Sequence, residues 1–222
     1  MVEERAAKIL TMLKQTFVLP GWVNSKRDPF QTLIVTIISQ NTADRNTAKA
    51  FYTLSKQFKI TPEALSKAEI TQIENLVKSA GLFKSKAKTI KEAAITILEK
   101  YRGTLQPILE LPLDEARKAL MEFSGVGPKT ADVVLLFSAK RHTVPVDTHV
   151  NRVTKRLGFA PQNGNYETVR QNLQALFDPH DYLTVHLFFI ELGRKVCKAH
   201  RPLCKQCPVK VYCPSTGMWD KP

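Results

Sequence analysis

The sequence predicts an all-α fold of two helical lobes, and three observations carry that prediction. Apolar residues recur at helical spacing, start and stop residues bracket those stretches, and no sustained period-2 run bounded by hairpin turns occurs. Ile90, Ala93, Ala94, Ile97 and Leu98 follow the i, i+3, i+4, i+7, i+8 pattern of one buried helical face, and Ile9, Leu10 and Leu13 do the same near the amino terminus. Asp28-Pro29, Thr61-Pro62-Glu63 and Asp147-Thr148 each place a capping side chain just ahead of an apolar run. Gly81 and Gly103 each follow a periodic run and read as helix terminators. About ten helices joined by short loops account for the chain.

The lobe boundaries are expected where periodicity lapses. Pro20-Gly21-Trp22 marks one crossing and the stretch from Ser138 to Pro145 the other. Residues 22–137 then form a central lobe, and residues 1–21 with 138–222 form the second. A hydrophobic content of 43% supplies a core, so disorder is excluded as a class. The longest apolar stretch, Leu33 to Ile38, is interrupted by Thr36 and falls far short of the roughly 18 residues needed to span a bilayer. The opening Met1-Val-Glu-Glu-Arg has acidic residues where a signal peptide carries basic ones, so an intracellular location is expected, cytoplasm or nucleoid in a prokaryote. The formal charge of +13 favours a polyanionic partner, because each neutralised phosphate releases condensed counterions.

Two segments carry chemistry. Phe123-Ser-Gly-Val-Gly-Pro-Lys-Thr-Ala131 lies between one helical run, Asp114 to Glu122, and another beginning at Pro128 or Lys129. Gly125 and Gly127 permit a tight turn and close approach of backbone to another molecule, and Pro128 suits a first helical position. Such a turn offers amides and a helix N-terminus to an anion. No strand precedes it, which disfavours a dinucleotide cofactor and favours a helix-hairpin-helix grip on a nucleic-acid backbone. The second segment is Cys197-x6-Cys204-x2-Cys207-x5-Cys213, which holds every cysteine of the chain within 17 residues. Thiols so clustered suggest one metal centre rather than a disulfide framework, and spacing alone admits either zinc or an iron–sulfur cluster. From the residues alone Lys129 is a solvated lysine, a phosphate contact or a nucleophile, and Asp147 is a helix cap or a catalytic carboxylate.

The run Phe123 to Val134, followed 18 residues after Lys129 by Val146-Asp147-Thr148-His149, resembles the endonuclease III family of DNA glycosylases and AP lyases in the helix-hairpin-helix superfamily. The similarity runs from about Phe30 to Cys213, and the cysteine spacing fits the family's 4Fe-4S loop at all four positions. The resemblance implies a DNA-binding cleft between the lobes, with Lys129 as nucleophile and Asp147 as its partner across the cleft mouth. It implies that Gly125, Val126, Gly127 and Thr130 of the hairpin bind the DNA backbone. Cys197, Cys204, Cys207 and Cys213 would ligate a 4Fe-4S cluster in a basic loop spanning 197–213. Ser39-Gln40-Asn41-Thr42 and Leu82 are similar to the family's inserting loops, so that Gln40 or Asn41 faces the orphaned base and Leu82 acts as the wedge. Relatives reading Ser-Ala-Gln-Ala-Thr there leave open which amide inserts. Asp44 and His149 are expected to be structural, and Ser124 stands where a proline is frequent. The implied activity is that of a monomer acting on double-stranded DNA with a damaged base or abasic site, removing oxidised pyrimidines and nicking by β-elimination. A mismatch glycosylase for U·G or T·G pairs and a non-catalytic DNA-binding module are the alternatives.

Overall fold

The computed structural model describes residues 1–24 and 27–218, and the regular elements among them are helical. In chain order the α-helices are α1 (Val2–Thr16), α2 (Pro29–Ser39), α3 (Asp44–Gln57), α4 (Pro62–Lys67), α5 (Ile70–Val77), α6 (Phe83–Tyr101), α7 (Gln106–Leu109), α8 (Leu113–Met121), α9 (Pro128–Ala139), α10 (Thr148–Arg156), α11 (Tyr166–Leu176) and α12 (Tyr182–Lys195). Short 3-10 turns, including Lys78–Ala80 and Cys204–Gln206, join some of them. The start signals read from the sequence are capping residues. The Asp28 carboxylate accepts from the Phe30 amide at 2.8 Å, and the Thr61 hydroxyl accepts from the Ala64 amide at 3.3 Å. None of these helices is long and apolar enough to cross a membrane.

The chain divides into two compact units, one of Lys26–Arg141 and one of Met1–Ser25 with His142–Pro222. In the first, α2 and α9 supply the apolar centre. Leu33, Ile34, Ile37 and Ile38 of α2, with Ala131, Val134 and Leu135 of α9, are essentially inaccessible to solvent. The periodic face Ile90, Ala93, Ala94, Ile97 of α6 is buried in the same cluster. In the second unit α10 packs on α12, and α1 contributes Ile9, Leu10 and Leu13 to the buried set. Phe159, Phe177 and Phe189 stack edge to face in a chain there, with centroids 6.0 Å apart at each step. That geometry sets the positive ring edge of one side chain against the negative face of the next.

One polar pair lies inside the first unit. Arg117 of α8 donates through Nε to Asp132 Oδ1 at 2.8 Å and through a terminal nitrogen to Oδ2 at 3.3 Å. Asp132 is fully buried on α9 and Arg117 is 7% exposed. Such a pair contributes little net stability over an apolar replacement, but removing one member strands the other charge in a medium that cannot solvate it. Asp132→Ala should therefore lower the unfolding free energy by about 3–5 kcal/mol in urea denaturation.

Candidate functional site

The turn between α8 and α9 has two glycines with different duties. Gly125 sits at φ +71°, and a Cβ there would stand 2.9 Å from the Thr89 hydroxyl and 3.0 Å from its methyl group. Gly127, the N-cap of α9, has φ −95° and nothing within 4 Å of a Cβ, so its open side is free for another molecule. The Val126 amide donates to the Phe123 carbonyl at 3.0 Å while the Val126 side chain, 5% exposed, anchors the turn on the core. With proline at N1, the Ala131 amide donates back to Gly127 at 3.0 Å. The result is a surface turn ending in a helix N-terminus, whose oriented amides attract an anion. Lys129 is the second residue of this helix and is half-buried.

Two loops of the same unit flank the hairpin. The Gln40 side-chain amide donates to the Gly125 carbonyl at 3.0 Å and to the buried Thr130 hydroxyl at 3.2 Å. It is thus held by the hairpin itself. Asn41 is exposed, with φ +51°. Leu82 follows Gly81 into the left-handed region at φ +46° and exposes 65% of its surface, rare for a leucine in a helix cap. Asn41 and Leu82 are therefore presented outward, whereas Gln40 is not.

The remaining predicted residues belong to the other unit. Asp147 is half-buried and caps α10, its Oδ1 accepting from the Val150 amide at 2.7 Å. His149 lies against Arg152, whose terminal nitrogen stands 3.1 Å from Nδ1. A guanidinium can only donate, so Nδ1 accepts and the ring proton sits on Nε2. Burial pushes the His149 pKa below the ordinary imidazole value; Asp147 opposes this, while Arg152 and Arg194 reinforce it. Gly193 makes room for this ring, since a Cβ there would stand 2.9 Å from that of His149.

The profile of the HhH-GPD superfamily of base excision DNA repair proteins matches residues 34–179. The chain belongs to this superfamily. Within it the chain is similar to endonuclease III of Sulfolobus acidocaldarius, at 36% identity over 84% of this chain and 82% of that one. Endonuclease III of Thermotoga maritima is 34% identical over 96% of this chain and 92% of its own length. A solved endonuclease III, trapped as a covalent intermediate with DNA, superposes with a TM-score of 0.85 at 29% identity, covering 98% of each chain. This HhH-GPD protein is accordingly of the endonuclease III type, a DNA glycosylase and AP lyase.

The four cysteines of this HhH-GPD protein line one concavity, walled by Val153, Leu157, Leu192, Val196 and Val209. Burial drives the Cys207 thiol up to about 11, and Cys197, Cys213 and Cys204 push it the same way. Thiolates gathered so closely in apolar surroundings call for a cation to hold them deprotonated. One positive group of the chain stands there, Arg156, whose guanidinium reaches the Cys197 sulfur at 3.5 Å and the Lys198 and Ala199 carbonyls. Among the described residues no group of three or more His, Cys, Asp or Glu side chains is arranged to hold a metal ion. The four thiols share one cavity, and this donor set fits a thiolate-ligated cluster.

Several supporting residues escaped the sequence reading: Arg117 and Asp132, Lys86, Arg152 and Arg156. The only local sign of Asp132 was an acidic residue within the apolar run Ala131 to Leu136, and nothing local announced the arginines. The two hairpin glycines separate experimentally. Gly125→Ala should cost roughly 2–4 kcal/mol, combining left-handed backbone with crowding against Thr89, whereas Gly127→Ala should cost about 1 kcal/mol or less. Urea denaturation of the two variants checks the difference.

Proposed function

We propose that this chain removes oxidised pyrimidines such as thymine glycol from duplex DNA and then cuts the strand at the resulting site, with Lys129 as nucleophile. The observation that carries the reading is the lysine itself. It stands in the first turn of the hairpin helix, in a chain that matches, over 98% of its length, an enzyme trapped covalently on DNA. Covalent capture requires a nucleophile, and an amine is the side chain that forms an imine with a sugar aldehyde.

The chemistry follows in two stages. Lys129 Nζ attacks C1′ of the flipped nucleotide, and the glycosidic bond breaks with its electron pair leaving on the base, which takes up a proton. Positive charge builds on the sugar as the bond stretches, and the Asp147 carboxylate stabilises it and accepts the proton released from the attacking nitrogen. Ring opening gives the protonated imine, which acidifies the C2′ hydrogen. Loss of that proton expels the 3′ phosphate oxygen, and water then releases the enzyme. The hairpin amides grip the backbone without reading sequence, which leaves base choice to the pocket and to the groups that open the stack. Leu82 and Asn41, both already outward, are assigned to fill the gap; Gln40 is assigned to brace the hairpin.

Cys197, Cys204, Cys207 and Cys213 are assigned to a 4Fe-4S cluster. When bound, it supplies a fixed crosslink that shapes the basic loop carrying Lys198, His200, Arg201, Lys205 and Lys210. It takes no part in bond breaking in this reading. Arg156, tied to two loop carbonyls and one sulfur, holds the loop to α10.

Borohydride reduction on an abasic duplex should covalently trap the wild-type protein, and Lys129→Gln should abolish trapping; capture at the wild-type level would remove Lys129 from the role. Asp147→Asn should keep the helix cap and the stability, because Asn caps as well as Asp. Its kcat on thymine-glycol duplex should fall by roughly 100-fold or more as the charge is lost. A panel that also contains U·G and T·G duplexes tests the substrate class, and activity confined to the mismatches would overturn the oxidised-pyrimidine assignment. Freshly purified protein should absorb near 400 nm and lose that band on iron chelation; a colourless, zinc-loaded preparation would contradict the cluster.

A further inference from the structure

A buried lysine lies beneath the two loops that present Asn41 and Leu82. Lys86, in the first turn of α6, is 4% exposed. Its ammonium donates to the Ile38 carbonyl at 2.8 Å, to the Ala80 carbonyl at 2.8 Å and to the Thr42 hydroxyl at 2.5 Å. An ammonium has three hydrogens, and these three acceptors account for all of them. None is a carboxylate. Two of the acceptors close helical segments instead: Ile38 lies in the last turn of α2, and Ala80 ends the Lys78–Ala80 turn. Terminal carbonyls and the negative end of a helix dipole thus stand in for a counter-ion.

The bonds cross between the loops. The Thr42 hydroxyl, accepting from Lys86, has one hydrogen to give, and the Ala80 carbonyl receives it at 2.5 Å. Thr42 immediately follows Asn41, and Ala80 lies two residues before Leu82. Asn41 and Leu82 hold positive φ angles of 51° and 46°, a backbone state that asparagine tolerates and that is costly for leucine. One ammonium therefore bonds both the residue that follows Asn41 and the residue two before Leu82. Burial lowers the Lys86 pKa, consistent with a charge desolvated for the sake of its three acceptors.

We propose that Lys86 is a positioning residue that locks the Gln40–Thr42 loop and the Ala80–Leu82 turn at one spacing, so that Asn41 and Leu82 enter an opened duplex as a single preorganised unit. The proposal rests on the DNA reading above, but its test needs no bond to break. The probe is a duplex carrying a tetrahydrofuran abasic analogue opposite 2-aminopurine, whose fluorescence reports unstacking of the orphaned base; the control is an undamaged duplex of the same sequence. With full-length, cluster-loaded Lys86→Met protein, the Kd for the tetrahydrofuran duplex should rise roughly 10- to 100-fold and the fluorescence change should vanish, while the Kd for undamaged duplex stays within about threefold. Lys86→Arg, which keeps the charge and donors, should recover most of both signals. Wild-type binding and fluorescence in Lys86→Met would overturn the proposal. So would a parallel loss of both affinities in a Lys86→Met protein that keeps the wild-type helical content. Should Lys86→Met fail to fold, Thr42→Val removes the bridging hydroxyl and must give the same split or the proposal falls. A wild-type protein that recognises the tetrahydrofuran duplex yet excises no thymine glycol would sink the function and leave this test intact; one that cannot tell the two duplexes apart overturns the positioning role.

Discussion

The unit formed by Lys26–Arg141 depends on one constraint. The chain must reverse between α8 and α9 within a few residues, sink the body of α9 into the core and still leave its first turn at the surface. Residues 130–136 of α9 are buried, so the helix has no face on which to roll. Apolar packing alone leaves some tolerance, because volume-conserving rearrangements of aliphatic side chains cost little. The Arg117–Asp132 fork does not, since two directed bonds from a planar guanidinium fit one register. A slip of one turn would carry Lys129 about 5.4 Å along the axis. That displacement exceeds by far what the nucleophilic attack assigned to Lys129 can absorb. The buried pair is better understood as a register device than as a source of stability.

Four further cations are committed to backbone carbonyls within their own unit. Arg141 donates to the Leu109 and Leu111 carbonyls, Arg5 to those of Leu157 and Tyr212, Lys91 to that of Ala68, and Arg152 to those of Gly193 and Cys197. In each case a long cationic side chain ties together backbone segments distant in sequence, and loop carbonyls that would otherwise lose their water gain a charged donor. The formal charge of +13 therefore overstates the number of groups that can reach a phosphate. These cations still add to the field that draws a polyanion, but their hydrogen bonds are committed inside the protein.

This division explains what was legible in the sequence. Local signals were readable because their cause is local: the caps Asp28, Thr61 and Asp147 each bond an amide two or three residues away, and the hairpin glycines serve a turn of a few residues. The cysteine spacing is likewise a short-range pattern. Lys86 was illegible because Phe83-Lys-Ser-Lys-Ala87 reads as a solvated basic turn, and its partners lie up to 48 residues away. Arg117 and Asp132 sit on different helices, and neither helix's periodicity tells which polar residue faces inward. Tertiary pairing of polar groups leaves no period to detect.

The ambiguity between Gln40 and Asn41 shows how such pairing bears on a functional assignment. As sequence, the two are adjacent amides at the end of an apolar helix with equal capacity to bond a base. In the folded unit the longer one reaches the hairpin, where it satisfies the Gly125 carbonyl and the Thr130 hydroxyl, groups that would lose a partner if it swung away. Withdrawing it would cost two hydrogen bonds beside the turn assigned to the DNA backbone. The shorter one has turned into the left-handed region and faces solvent. Backbone grip and duplex insertion consequently share a side chain: Gln40 joins the hairpin that is assigned to hold phosphate to the loop that presents Asn41. A force on the hairpin is thereby transmitted to the loop assigned to insertion through two hydrogen bonds as well as through the chain.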